Sequence, residues 1–347
     1  MKDARAFRTG AALALAGLAL ATAACGDSSV PVERLVDARL PTDVAGGTLA
    51  DTAPPGNALT EARAQLGKRL FFDGRLSRTG LVSCSTCHAQ ANAFSDPAPV
   101  STGVDGRVGT RNAPALVNLA WGTSFFWDGR VTSLEEQAGK PIENPLEMDS
   151  PLADVVTRVG GDASYARAFA GVYDDGLTTE TLRFALASFV RTLVSGGSPY
   201  DRHLAGDDTT FDDAAARGEK LFLSERAACF HCHSPGSLTN GGYFNNGTFV
   251  AGGDPGRQAI TGRAGDLGKF KVPGLRNVAA SAPYMHDGSL ATLEEVVDQY
   301  DRGGRGDPST DPQIRPLGLT AGEKADLLAL LRSFTDDAFL TDGRYQP

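Results

Sequence analysis

Cys84-Ser-Thr-Cys-His88 and Cys229-Phe-His-Cys-His233 decide how the rest of this chain is read. In each, two thiols three residues apart are followed at once by a histidine, the attachment pattern of a c-type haem. Thiols at that spacing, on one short helical turn, can reach both vinyl groups of one porphyrin. The histidine then stands under the iron as its proximal ligand and leaves the opposite face to be filled from elsewhere. A single Cys-x-x-Cys is also half of many zinc sites, or a redox pair. Two copies, both ending in His, favour two covalently bound haem c groups.

The surroundings of the two motifs repeat as well. DDAAARGEKLFLS in the second half matches EARAQLGKRLFFD in the first. VPGLRNVAASAPYMHDGSLATLEEV lies over NAPALVNLAWGTSFFWDGRVTSLEEQ, which places Trp127 on His286, and AGEKADLLALLRSF matches TLRFALASFVRTL. Internal repeats of this kind set the architecture. They predict a mostly α protein of two tandem cytochrome-c-like domains, residues 58–198 and 199–347, each around one covalently attached haem. Helices suit the task because a haem is a large apolar disc that needs apolar walls. Thr60 heads the first helix, with Ala62, Leu66, Leu70 and Phe71 on a helical spacing. Another starts near Thr178, a Gly- and Pro-rich loop runs from Asp96 to Gly109, and PIENPLEMDSP reads as a proline-studded turn.

The 347 residues suffice for about two domains, and 41 Gly with 19 Pro imply many loops. A net charge of −9 argues against nucleic acid as a partner and suits a basic one, such as a small cytochrome. Of five cysteines, four belong to the two motifs. The fifth, Cys25, follows a basic start (Lys2, Arg5, Arg8) and a small apolar run from Gly10 to Ala24. That run is too short for an ordinary membrane span and reads as a signal peptide over residues 1–25. Leu20-Ala-Thr-Ala-Ala-Cys25 resembles a lipoprotein cleavage site that would anchor Cys25 to lipid, although Thr22 stands where Leu is usual. Cleavage after a small-residue triplet, with no lipid, is the alternative. Both imply export, to the periplasm or an equivalent oxidising space. Residues 26–57, rich in Pro, Gly, Asp and Thr, read as a flexible tether.

LGKRLFFD, SCSTCH, RNAPALVN, FFWDGR, SLEEQ, NPLEM, VPGLRN, APYMHDG and TLEEVV, in that order from about Leu66 to Phe334, resemble the bacterial di-haem cytochrome c peroxidase and MauG superfamily. The resemblance implies that hydrogen peroxide meets the N-terminal haem, held by Cys84, Cys87 and His88. The C-terminal haem, held by Cys229, Cys232 and His233, would relay electrons. Trp127 falls on the family's bridging tryptophan, though a Trp in a helical core is more often simply buried. Gln137 and Glu147 fall on the polar groups above the peroxidatic iron. Cleaving peroxide requires a group that moves a proton from the inner to the outer oxygen, and the first half offers no spare histidine. Glu147 could otherwise be a solvated turn residue beside Pro145. Asn112, with the carbonyls of Ser281 and Pro283, falls on an inter-domain calcium site, a hard-cation set of oxygens; Asn112 could instead cap a turn. His286 reads as a structural histidine, and His203 and His231 are not expected to be ligands.

Two departures from the peroxidase pattern matter more than the matches. Members that need reductive activation carry a loop histidine after STG, where this chain has Val104. On the far side of the second haem peroxidases carry Met, MauG-like members Tyr, and this chain Tyr300. Tyr300 also completes an ordinary apolar stripe with Leu293, Val296 and Val297. A thioether favours ferrous iron, a phenolate ferric and higher states. These features imply a MauG-like enzyme that uses peroxide to oxidise a protein partner. A constitutively active cytochrome c peroxidase, drawing on a small cytochrome donor, is the near alternative. A non-enzymatic di-haem carrier is the distant one, since Met148 and Met285 stand at reasonable distances after His88 and His233 to be its ligands.

Overall fold

In the computed structural model, which describes residues 52–347, helices and tight turns carry nearly all the regular structure. Helix α1 (Glu61–Phe71) starts where the Thr60 side chain accepts the Arg63 N–H. α2 (Cys84–Cys87) carries the first thiol pair. α3 (Leu134–Glu143) is capped by Ser133, and α4 (Leu152–Gly160) and α5 (Ala163–Ala170) are short. α6 (Thr179–Arg191) begins at a Thr178–Thr181 capping box. After α7 (Pro199–Leu204) the pattern restarts with α8 (Asp213–Phe222), and a 3₁₀ turn at Cys229–His231 takes the place of α2. Strands β1 (Tyr243–Phe244) and β2 (Phe270–Lys271) pair antiparallel, on either side in sequence of α9 (Gln258–Thr261). α10 (Leu293–Asp301), α11 (Ala321–Ser333) and α12 (Asp337–Thr341) complete the chain.

The duplication is written into the backbone. α1 packs on α6 and α8 on α11, and each pair closes over a glycine. A Cβ at Gly67 would lie 1.9 Å from the Ala185 carbonyl oxygen, and one at Gly218 would lie 2.1 Å from that of Asp326. Asn118 and Asn277, equivalent in the repeat, both adopt left-handed backbone, at φ 55° and 59°. Phe126 and Met285, also equivalent, lie at φ 65° and 74°, and isolated bridges join Phe125 to Val131 and Tyr284 to Leu290.

Two apolar clusters form the core. One gathers Leu70, Phe71, Phe94, Leu182, Leu186 and Phe189; the other gathers Tyr200, Phe222, Leu293, Val297, Leu330 and Phe334. Phe339 and Tyr345, at the end of the chain, join the first cluster. Each half also buries an arginine–carboxylate pair. Arg191 grips Glu135 at 2.6 and 3.0 Å, and Arg276 grips Asp201 at 2.6 and 2.8 Å.

Two local expectations change. The turn expected from Pro141 begins later, because Pro141, Ile142 and Glu143 continue α3. Proline's fixed φ suits a helix, and in this last turn Pro141 forgoes the hydrogen bond to the Gln137 carbonyl and crowds that oxygen, a cost the helix bears just before it ends. Asn57, the last residue of the expected tether, is fully buried and donates to Glu135 (3.0 Å) and to the Phe184 carbonyl (2.9 Å). The leader, Cys25 and residues 26–51 of the tether lie outside the described residues. Among the described residues, no helix is long and apolar enough to cross a membrane.

Candidate haem sites and the seam between them

A cavity is lined by Cys84, Cys87 and His88 on one side and by Gln137, Pro141, Glu147 and Met148 on others. Phe71, Val82, Leu116, Leu186 and Val190 supply apolar wall. His88 Nδ1 lies 2.7 Å from the Phe94 carbonyl oxygen. A carbonyl only accepts, so Nδ1 carries the proton and Nε2 presents its lone pair to the cavity. Burial also pushes the His88 pKa below the ordinary imidazole value, which keeps the ring neutral as a ligand must be. The same burial pushes the Cys84 thiol up to about 12 and raises that of Cys87. Thiols held protonated are unlike the activated thiolates of redox pairs. Among the described residues, no three His, Cys, Asp or Glu side chains converge as a zinc site requires. Apolar walls, paired thiols and a neutral, oriented histidine fit a covalently attached haem.

Gln137 stands on α3, and Glu147 follows that helix after one turn of loop. The carboxylate is half-buried, and burial raises its pKa despite a 2.6 Å hydrogen bond from Asn144 Nδ2 and the charge of Arg130. Met148 is only 3% exposed and packs within the first apolar cluster. The loop bearing Val104 is fastened to this same segment. The Val104 N–H donates to the Glu147 carbonyl at 2.8 Å, and Arg107 reaches the Pro145 carbonyl and Asp149 at 2.7 and 2.9 Å. Gly103 approaches so closely that a Cβ would lie 2.4 Å from the Glu147 carbonyl oxygen. Val104 itself is buried.

The second site repeats the logic with one substitution. His233 Nδ1 meets the Leu238 carbonyl at 3.1 Å, and burial lowers its pKa to about 4. Burial pushes Cys229 up to about 12 and Cys232 to about 11. The register that lays Trp127 on His286 lays Ser133, the cap of α3, on Thr292, the cap of α10, and Pro141 on Tyr300. Pro141 offers its cavity no ligand atom; Tyr300 offers a phenol. Burial raises that phenol to about 12, against the opposing hydrogen bond from Asn246. Asn246, which the sequence did not single out, donates to Tyr300 Oη at 3.3 Å and to Met285 Sδ at 3.2 Å.

A cleft open to solvent joins the surroundings of His88 to those of Ser237, Lys271 and Met285, with Trp127 in its wall. Trp127 Nε1 donates to the Asn112 carbonyl at 2.8 Å, and its own carbonyl accepts the Lys271 N–H at 2.7 Å. Asn112 is buried; its amide nitrogen donates to the Ala98 and Pro99 carbonyls at 3.1 and 3.2 Å. Its Oδ1 and the Ser281 and Pro283 carbonyls accept no hydrogen bond among the described residues. His286 stacks on Phe270, centroids 3.7 Å apart, and its carbonyl accepts the Asn112 N–H. His203 lies between Asp208 and Glu219, and His231 pairs with Glu225.

Residues 61–209 match the family model of the di-haem cytochrome c peroxidases, CCP_MauG. A methylamine utilization protein MauG from Methylorubrum extorquens is 40% identical over 284 residues, 81% of this chain and 80% of the relative. A cytochrome c551 peroxidase from Nitrosomonas europaea is 36% identical over 266 residues, 74% of this chain and 79% of the relative. Among solved structures, a MauG-like protein associated with microbial copper homeostasis superposes with a TM-score of 0.81 at 36% identity, covering 85% of this chain and 95% of that one. Enzymes of both kinds thus match along most of their length, which sets the non-enzymatic carrier aside: this chain is a haem enzyme of the di-haem cytochrome c peroxidase and MauG family.

Proposed function

We propose that this exported enzyme is MauG-like: it uses hydrogen peroxide at the His88 site to withdraw electrons from a protein partner. The observation that carries the reading is the asymmetry between two equivalent helical positions, Pro141 at the first site and Tyr300 at the second. Haem c, when bound, supplies iron that takes peroxide at one site and exchanges electrons at the other. His88 and His233 would hold the irons through Nε2, each ring fixed by the carbonyl on its Nδ1. Glu147 takes the proton from the inner peroxide oxygen and returns it to the outer one, so that water leaves. Asn144 aims the carboxylate, and burial keeps its protonated form accessible for the return step. Gln137 lines the same cavity and supplies a second polar group. Trp127, in the cleft wall, is the aromatic bridge over which the two sites share charge. Tyr300 would hold that iron as a phenolate, which would favour its oxidised states and suit storing oxidising equivalents better than accepting electrons from a high-potential cytochrome.

A calcium ion at the seam belongs to the same proposal: Asn112, Ser281 and Pro283 line one cleft, and the amide and carbonyl oxygens of these residues are the hard ligands such a cation takes. The constitutively active cytochrome c peroxidase remains the second reading, because Met285 Sδ shares its hydrogen-bond donor with Tyr300. Spectra of the resting ferric protein and of Tyr300→Phe, with the second haem's potential titrated, separate the two. The MauG-like reading expects a high-spin first haem that reacts with peroxide without prior reduction, since Val104 cannot ligate iron. It also expects a low second potential that changes in the variant. Two low-spin haems active only after reduction, or an unchanged second potential in Tyr300→Phe, would overturn it.

A further inference from the structure

The side chain of Asn246 has only one consistent orientation. Its Oδ1 lies 3.3 Å from the Thr248 backbone nitrogen and 2.7 Å from the Thr248 hydroxyl. The backbone N–H can only donate, so the amide oxygen faces Thr248, and Nδ2 with its two protons faces the other way. There it meets two acceptors, Tyr300 Oη at 3.3 Å and Met285 Sδ at 3.2 Å.

The support beneath Asn246 is rigid and tied to the helix that carries Tyr300. The Gly247 carbonyl accepts from Gln299 Nε2 of α10 at 3.1 Å and from the Arg305 N–H at 2.9 Å. A Cβ on Gly247 would sit 2.8 Å from the Gly304 Cα, just past the end of α10. Met285 sits at φ 74° in a turn that the first half repeats at Phe126, so the approach of its thioether is set by the fold. Both side chains able to ligate an iron on this side are therefore held by one amide.

We propose that Asn246 selects the distal ligand of the second haem, a positioning role that rests on the reading of Tyr300 as that ligand. On ligation Tyr300 would release its phenolic proton to solvent, and one Asn246 N–H would donate to the resulting anionic oxygen, a charge-assisted bond stronger than a neutral one. The other N–H occupies a lone pair of the Met285 sulfur and keeps the thioether from the iron. The same chain thus carries both ligands, and one neutral amide fixes which is used.

The test is Asn246→Leu, which keeps the volume and removes both donors, read by absorption, paramagnetic resonance and potentiometric titration of the oxidised haem-loaded protein. The expected result is a far-red thioether-to-iron band and an upward shift of the second haem's potential, with both lost in Asn246→Leu/Met285→Leu. Met285→Leu alone should leave the second haem's spectrum and potential as in wild type. Wild-type spectra and potential in Asn246→Leu would overturn the proposal. So would an altered second haem in Met285→Leu; should Asn246→Leu fail to take up haem, Asn246→Asp, which keeps the shape and the Thr248 contacts and removes both donors, is read in its place with the same expected and overturning results. Tyr300→Phe, run alongside, separates the two layers. If it too leaves the second haem unaltered, the ligand reading fails and this proposal with it; if it alters the haem while Asn246→Leu does not, only the role of Asn246 falls.

Discussion

At the scale of the residue, the first site depends on which of two neighbours faces the cavity as a chemical group. Glu147 and Met148 both touch it, but Met148 is spent on packing while the Glu147 carboxylate is oriented by Asn144. Glu147→Gln keeps the shape and loses the base, so peroxide consumption should fall by roughly a hundredfold or more, with haem content and spin state near wild type in rapid-mixing and absorption measurements. Wild-type rates would return Glu147 to a surface-turn role. Burial raises the Glu147 pKa, so the deprotonated base is lost while pH is still above the ordinary glutamate value of about 4.3. The rate should therefore fall on the acid side from above that value, and Glu147→Gln should abolish that limb of the profile.

At the scale of the element, the helix pairs α1–α6 and α8–α11 depend on glycines that admit a neighbouring backbone. Gly218→Ala must push Asp326 and its turn of α11 outward, an overpacking cost of about 1–3 kcal/mol. Denaturant titration of Gly218→Ala and Gly67→Ala should show this loss, and an unchanged midpoint in both would mean the pairs shift freely. The Glu135–Arg191 pair, with Asn57, ties α3 to α6. Burial alone would raise the Glu135 pKa, but the Arg191 and Asn57 hydrogen bonds outweigh it and hold it below the usual value. A depressed carboxylate contributes stability that is complete above its unfolded value, about 4.3, and disappears as pH falls below it. Arg191→Met should cost about 3–5 kcal/mol at neutral pH by stranding the buried charge, and should flatten that acid loss. A melting temperature equal to wild type at neutral pH would contradict this.

At the scale of the whole molecule, the end of the chain supports the first site. Phe339 and Tyr345 pack against Phe94 with centroids 5.8 and 6.2 Å away. Tyr345 Oη donates to the Thr192 carbonyl at 2.8 Å, and Gln90 holds the Phe339 carbonyl at 2.9 Å. The Phe94 carbonyl in turn orients His88. Ending the chain after Asp337 should therefore lower haem occupancy and broaden the spectrum at the first site, more than 240 residues away in sequence, more than at the second. Equal effects on both haems would show that the tail merely stabilises the molecule as a whole.

The duplicated motifs were legible because haem attachment demands fixed local spacing: Cys84, Cys87 and His88, then Cys229, Cys232 and His233, each within five residues. The capped helices at Thr60 and Thr178 were legible for the same reason, since caps and apolar periodicity are local. So was the correspondence of the halves, from which Pro141 and Tyr300 can be paired. What only the tertiary structure decided lies in contacts between distant segments. Asn57 joins the core because Glu135 and Phe184 meet it there, and the Val104 loop is fixed by its bond to Glu147. Met285 and Tyr300 come to share the single amide of Asn246, 39 and 54 residues away from them along the chain. Spacing along a chain records which atoms one cofactor must reach, but a hydrogen bond between remote loops leaves no period or motif, and only the folded backbone brings its two ends together.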